Sequence, residues 1–391
     1  MKAVPLVLLR NHVLDVVLLI GFVIIQWIGT RNLLRRRAAN SRGVRWAIFA
    51  IAIFTLLFDL TAFALRFMRV KSSLPAKAVI FLSPATLNWA VFTVFLVVLF
   101  AVLERIPRPE TAFSPARRRA LRTIRAAAMI APTAAFGYAM LIGRTNIHLR
   151  EQSIPIPGLH PDLDGLRLVQ LSDIHLSPFL SVHDLERAVA IANETKAHIA
   201  LVTGDLISLR GDPLDDCIDR LQALRTDAGT FGCLGNHEIY ADCEDYATER
   251  AAQVGIRFLR GAAERLRFGN ATLNLAGVDY QRMHSEYLIG AEQMIQPSAL
   301  NVLLSHNPDV FPVAVRQGWQ CTIAGHTHGG QVNVEILRRD LNIARFFTPY
   351  TMGLYRKNDS SIYVSRGIGT IGLPIRLGSP PEVALLKLCR T

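Results

Sequence analysis

The sequence predicts an α/β domain behind an all-helical, membrane-embedded N-terminal region. Three observations carry this expectation. Four apolar segments are confined to the first 142 residues, and from about residue 165 short apolar strands alternate with amphipathic helices. Five of those strands end in polar side chains suited to binding a metal.

The chain has 391 residues, of which 51% are hydrophobic and only 19% charged, with a mean hydropathy of +0.28. That is too apolar for a wholly soluble protein of this length, which has room for two or three domains. The net charge of +12 is unevenly placed. Residues 1–142 hold 19 Lys and Arg against Asp15, Asp59, Glu104 and Glu110, a net of +15, so residues 143–391 carry −3. Basic loops beside membrane spans explain this split, and it argues against nucleic acid as a partner of the C-terminal half.

The apolar segments are residues 13–28, 46–65, 87–103 and 126–142, each near the ~17–25 residues that cross a bilayer. They read as four transmembrane helices, because a run such as residues 91–100 shows no polar face for a soluble bundle to expose. The arginine-rich loops, 31–45 and 105–125, belong on the cytoplasmic side. Both ends of an even number of spans then lie outside, which places the C-terminal half beyond the inner membrane. Arg117-Arg118-Arg119-Ala120-Leu121 also resembles a twin-arginine export signal, and that reading gives the same side. Asp59 within the second segment and Asp15 near the start of the first are read as solvated or paired rather than ion-conducting.

Residues 144–164 read as a polar linker with a Pro157-Gly158 turn, and residues 165–391 as the second domain. Strand 166–171 ends in Ser172-Asp173-Ile174-His175, and strand 198–202 in Thr203-Gly204-Asp205. Strand 230–234 ends in Gly235-Asn236-His237-Glu238. Helices 182–195 and 213–225 separate these three. Further on, strand 300–304 runs into Ser305-His306 and strand 321–324 into Gly325-His326-Thr327-His328. Ligands in α/β sheets bind beyond the carboxyl ends of strands, so these residues are expected to converge. Residues 271–296 are assigned to no element and read as part of the substrate loops. Taken singly, Asp173 or Asp205 suits a turn, Asn236 a turn before a helix, and His306 a surface. Together they would bury too much charge without a cation. All five cysteines lie in the C-terminal half with no C-x-x-C, which fits neither a disulfide framework nor a zinc knuckle.

In this order, Asp173-x-His175, Gly204-Asp205, Gly235-Asn236-His237-Glu238, His306 and Gly325-His326-x-His328 resemble the five motif blocks of the calcineurin-like metallophosphoesterase superfamily. The resemblance covers about residues 165–390, and its tail, with Arg366, Arg376 and Pro381-Glu382, is similar to a membrane-associated bacterial branch. It implies a four-layer αββα sandwich with two mixed sheets. It also implies a dinuclear site: Asp173, His175 and His328 on one ion, Asn236, His306 and His326 on the other, and Asp205 bridging. Nitrogen and oxygen donors without thiolate suit Mn, Fe or Zn. His237 is implied as the acid that protonates the leaving oxygen, with Glu238 orienting its ring. Arg366 and Arg376 suit either phosphate binding or structural ion pairs.

The function expected is a membrane-anchored, metal-dependent hydrolase of phosphate mono- or diesters, with a lipid-linked or envelope substrate. The rivals are a tethered phosphodiesterase for soluble nucleotides and a non-catalytic membrane sensor. Retention of His237 beside every ligand speaks against the sensor.

Overall fold

The structure, a computed structural model, describes residues 20–34 (22 and 33 excepted), 42–67, 95, 99, 102 and 114–391 (178, 283, 284, 337 and 338 excepted). It divides into two units, Met1–Ala135 and Phe136–Thr391.

In the first unit the helix Arg42–Phe67 contains the second expected span, Asp59 included. Residues 20–28 of the first span are helical, 22 apart, whereas 13–19, with Asp15, and nearly all of 87–103 lie outside the described residues. Buried Thr55 donates its hydroxyl to Gln26 Oε1 at 3.3 Å, so two polar groups on apolar helices satisfy each other. The helix Pro115–Tyr138, continued by the π-helical turn Ala139–Gly143, holds the fourth expected span. Among the described residues, Pro115–Gly143 is the one helical stretch long and apolar enough to cross a membrane, with a mean hydropathy of 1.5 over an 18-residue window.

Among the described residues of the second unit, fourteen strands follow in chain order. They are β1 (His148–Ile156), β2 (Arg167–Leu171), β3 (Ile199–Thr203), β4 (Thr230–Cys233), β5 (Ile256–Phe258), β6 (Ala262–Phe268) and β7 (Ala271–Gly277). Then come β8 (Leu300–Leu304), β9 (Cys321–Ala324), β10 (Asn333–Ile336), β11 (Arg339–Asn342), β12 (Gly353–Lys357), β13 (Ser360–Val364) and β14 (Glu382–Arg390). One sheet is ordered β1-β14-β2-β3-β4-β5 and the other β12-β13-β9-β8-β7-β6. Both are mixed: β14 runs antiparallel to β2, β6 to β7 and β12 to β13, while the remaining pairs are parallel.

Strand period two explains the layering. Leu168, Ile199, Leu201, Phe231 and Leu386 of the first sheet meet Leu273, Val302, Leu304, Ile323 and Tyr363 of the second in one core. The alternate residues Val169, Ala200, Val202 and Leu385 face outward beneath helices Val182–Glu194, Leu214–Leu221 and Glu244–Gln253. On the far side, Leu303, Ala314 and Trp319 form a smaller cluster, and helix Phe311–Gln317 covers Ala324, Ile362 and Val364.

Two segments differ from the sequence reading. Residues 144–164, read as a linker, hold β1, whose first residues are exposed and, Leu149 apart, polar while Ile154 and Ile156 enter the core. Its polar half is the outer edge of a sheet, and that is what makes it look like linker. Residues 271–296, assigned to no element, contain β7.

Phe231 is fully buried between the sheets. Phe231→Ala should lower unfolding stability by about 3–5 kcal/mol, read from the denaturant midpoint. Glu249→Ala, on the exposed face of helix Glu244–Gln253, should stay within about 0.5 kcal/mol.

Candidate metal centre

Because β2, β3 and β4 are parallel neighbours, their carboxyl ends share one edge, and so do those of β8 and β9. Buried Gln170 ties the two edges together. Its Nε2 donates to Thr203 Oγ1 at 2.7 Å and across the sheets to the Ala324 carbonyl at 2.9 Å. Beyond the strands the backbone turns through the left-handed region at Asp173, His175, Asp205, His326 and His328, with φ between 47 and 76°. Each such non-glycine residue costs about 1–3 kcal/mol, so the packed sheets hold the site in a conformation it would not adopt alone. Glycine makes room for the carboxylates: a Cβ on Gly235 would fall 2.2 Å from Asp205 Oδ1, and one on Gly325 2.3 Å from Asp173 Oδ2.

The structure groups six of the predicted ligands at this edge, and the seventh, Asn236, starts the short helix that follows β4. His175 Nε2 lies 3.1 Å from His328 Nε2 and 3.4 Å from Asp205 Oδ2, and His328 Nε2 lies 3.4 Å from Asp173 Oδ1. His306 Nε2 approaches Asp205 Oδ2 at 3.0 Å, and the His306 and His326 rings are 5.0 Å apart. Two groups result, Asp173-His175-Asp205-His328 and Asp205-His306-His326, each with donor atoms within 4.8 Å of one another. Asp205 belongs to both.

Two further observations test whether a cation fits. Asn236 Oδ1 and His306 Nε2 are buried without a hydrogen-bond partner among the described residues, and such orphans are costly unless something else binds them. His306 Nδ1 already donates to the Thr203 carbonyl at 2.7 Å, which leaves Nε2 as the free position. Electrostatics agree. Burial pushes Asp205 up, but His306 and His175 outweigh it and hold the carboxyl well below its usual range. Burial likewise opposes charge on His306, yet Asp205 lifts it to about 10. The pair therefore calls for positive charge, although its 3.0 Å approach lacks hydrogen-bond alignment. Burial, then the charge of His306, lowers His326 to about 3, and burial with His175 drives His328 well below its usual value. Both imidazoles are neutral at pH 7, the form that ligates a metal. The residues fit a divalent cation.

His237 sits beside the cluster. Its backbone N–H donates to Asp205 Oδ1 at 2.9 Å, its ring centroid is 4.7 Å from that of His175, and burial lowers its pKa. The Glu238 expectation needs correcting. Its carboxylate accepts from the backbone N–H groups of Asp205 (3.0 Å), Leu206 (2.6 Å) and Gly235 (2.7 Å), so it clamps the β3 and β4 loops. The His237 ring is oriented by Ser208 instead, whose carbonyl accepts from Nδ1 at 2.6 Å. The Ser208 hydroxyl also lies 3.1 Å from His175 Nδ1. Sequence reasoning missed Ser208 because it stands three residues past the Gly204-Asp205 block, and no motif marks it.

The arginines resolve as structural. Arg366 pairs with Glu382 at 2.6 Å. Fully buried Arg376 donates to the carbonyls of His328 (3.0 Å), Arg366 (2.7 Å) and Gly369, bracing the loop that carries His328. His183 and His198 belong to neither group: one is exposed beside Glu186, and the other accepts from the Arg167 N–H.

Two mixed sheets with a buried Asp/His cluster at their carboxyl ends define an α/β domain with a candidate metal centre. Residues 166–343 match the calcineurin-like phosphoesterase family, and the chain carries a domain of that family. A Danio rerio protein named transmembrane protein with metallophosphoesterase domain is 30% identical over 250 residues, covering 60% of this chain and 56% of its own length. The chain thus spans about half of that relative. The uncharacterized metallophosphoesterase YkuE of Bacillus subtilis is 27% identical over 66% of this chain and 90% of its own. The phosphodiesterase YaeI of Escherichia coli is 28% identical over 70% and 98% respectively.

Glu238→Gln replaces one acceptor with an NH₂ group facing a backbone N–H. It should cost about 1–3 kcal/mol in thermal unfolding, whereas a ring-orienting role alone would leave stability unchanged.

Proposed function

We propose that the chain is a membrane-anchored, metal-dependent phosphoesterase that hydrolyses phosphate mono- or diesters at a dinuclear centre. The observation that carries this reading is the pair of ligand groups sharing Asp205, with the orphaned Asn236 Oδ1 and His306 Nε2 beside them. Asp173, His175 and His328 would hold one cation, Asn236, His306 and His326 the other, and Asp205 both. The donors are nitrogen and oxygen only, which suits Mn, Fe or Zn. When bound, the two cations supply Lewis-acid activation of water and neutralise phosphate charge.

The protein's own residues do the rest. Ser208 fixes one proton on His237 Nδ1, so Nε2 is the atom that takes up a second proton and passes it to the leaving oxygen. Burial lowers the His237 pKa, so the imidazolium forms less readily and is the stronger acid once formed. Glu238 keeps the two loops carrying Asp205 and Asn236 in register, and Arg376 does the same for the loop of His328.

Anchoring is supported by the apolar stretch Pro115–Gly143, and an extracytoplasmic domain by the arginine-rich loops of the first 142 residues. Four spans and a lipid-linked or envelope phosphate ester complete the proposal. The relative named a phosphodiesterase favours diesters.

Loaded with Mn, the full chain should hydrolyse at least one of p-nitrophenyl phosphate, its bis ester and a lipid phosphate. His237→Ala should keep its metal and lose about 10²- to 10⁴-fold in rate. No hydrolysis with metal bound overturns the reading, and full activity of the variant removes His237 from it.

A further inference from the structure

Just past the loop that carries His328, three large apolar side chains stand in water. Ile343, Phe346 and Phe347 are 59%, 87% and 70% exposed. They lie on the short 3-10 turn Ile343–Phe346 and the residue after it. This turn is anchored. Asn342 Oδ1 accepts from the Ala344 N–H at 2.9 Å, its Nδ2 donates to the Gly329 carbonyl at 3.0 Å, and the Thr348 N–H returns to Ala344 at 3.0 Å. Adjacent phenylalanines held outward on a well-bonded turn mark an interaction surface rather than a packing defect.

What covers them is indicated by what the turn adjoins. The Ala139 carbonyl, in the last turn of the candidate membrane helix, accepts from the Arg376 N–H at 3.0 Å. The next residue, Leu377, exchanges backbone hydrogen bonds with Gln331 (2.9 Å) and Asn333 (2.8 Å). Asn333 pairs in turn with Asn342 at the base of the β10–β11 hairpin. The Gln331 side chain reinforces this strip by bonding the Ile371 backbone at 2.7 and 2.9 Å. Tyr138, Leu141 and Ile142 at its other end are also exposed, at 46%, 74% and 55%. A single hydrogen-bonded strip thus links two exposed apolar groups, one of which belongs to a helix apolar enough to cross a membrane.

We propose that Ile343, Phe346 and Phe347 form a lip that enters the interfacial layer of the bilayer holding Pro115–Gly143. Apolar side chains on such elements bury about 5–10 Å into the headgroup boundary. Gly329, one hydrogen bond from the lip and next to His328, then sits at headgroup level. The substrate class follows: phosphate esters presented at a lipid surface. The lip rests on the membrane anchoring proposed above and not on catalysis, whereas the substrate class rests also on the phosphoesterase reading.

The test uses the full chain in lipid nanodiscs. Phe346→Cys is labelled with the fluorophore NBD in a Cys243→Ser, Cys389→Ser background, since the other three cysteines are buried. Phe347→Cys repeats it, and exposed Glu249→Cys is the control. Both lip labels should emit to the blue of the control and lose emission when doxyl-labelled lipid is included. Water-like emission overturns the lip, whatever the hydrolysis of p-nitrophenyl phosphate shows. A blue shift without quenching by doxyl lipid also overturns it, since a second copy of the chain or another protein would then cover the residues. Quenched lip labels on a metal-loaded chain that hydrolyses nothing would leave the lip standing and remove the phosphoesterase reading.

Discussion

The constraint on which the rest of the site depends is buried negative charge. Asp173 is fully buried and Asp205 is 2% exposed, both beneath a layer of imidazoles. An unpaired buried carboxylate costs several kcal/mol even after relaxation; His306 and His175 relieve Asp205, but burial still pushes Asp173 up. Burial keeps His326 and His328 neutral, and the pull of Asp205 on His306 shows where positive charge is wanted. Cations held by the two ligand groups, as proposed above, would answer that demand and engage Asn236 Oδ1 and His306 Nε2, two buried atoms that bonding within the described residues leaves over.

Holding such a cluster requires a rigid frame. Five site residues sit at positive φ, and three side chains that touch no reacting group oppose that strain. Gln170 bonds one sheet edge to the other, Glu238 gathers three backbone N–H groups of the β3 and β4 loops, and Arg376 collects carbonyls around His328. Each is buried, so its hydrogen bonds are strong and their loss is expensive. The inter-sheet core beneath them fixes where the strand ends stop.

The parts legible in the sequence were those written in local pattern. Buried parallel strands such as 300–304 and 321–324 are continuous apolar runs, and the histidines just after them lie within the two Asp/His groups. Long-range features were less legible. β1 looks like linker because half of an edge strand faces water, and its partner β14 lies more than two hundred residues away. The Glu238 clamp was misread because adjacency to His237 suggests contact, whereas the first turn of a helix sends successive side chains in different directions. Ser208 acts on His237 through its carbonyl, which no residue type reveals. Arg376 could be narrowed only to two uses, and burial among carbonyls decided between them.

The central claim is that Asp205 joins two ligand groups that take one cation each, and counting metal tests it most directly. Elemental analysis of the full chain after Mn loading and removal of free metal should find about two ions per chain in the wild type and about one in His326→Ala. A wild type with a single ion that His326→Ala leaves in place would contradict the account.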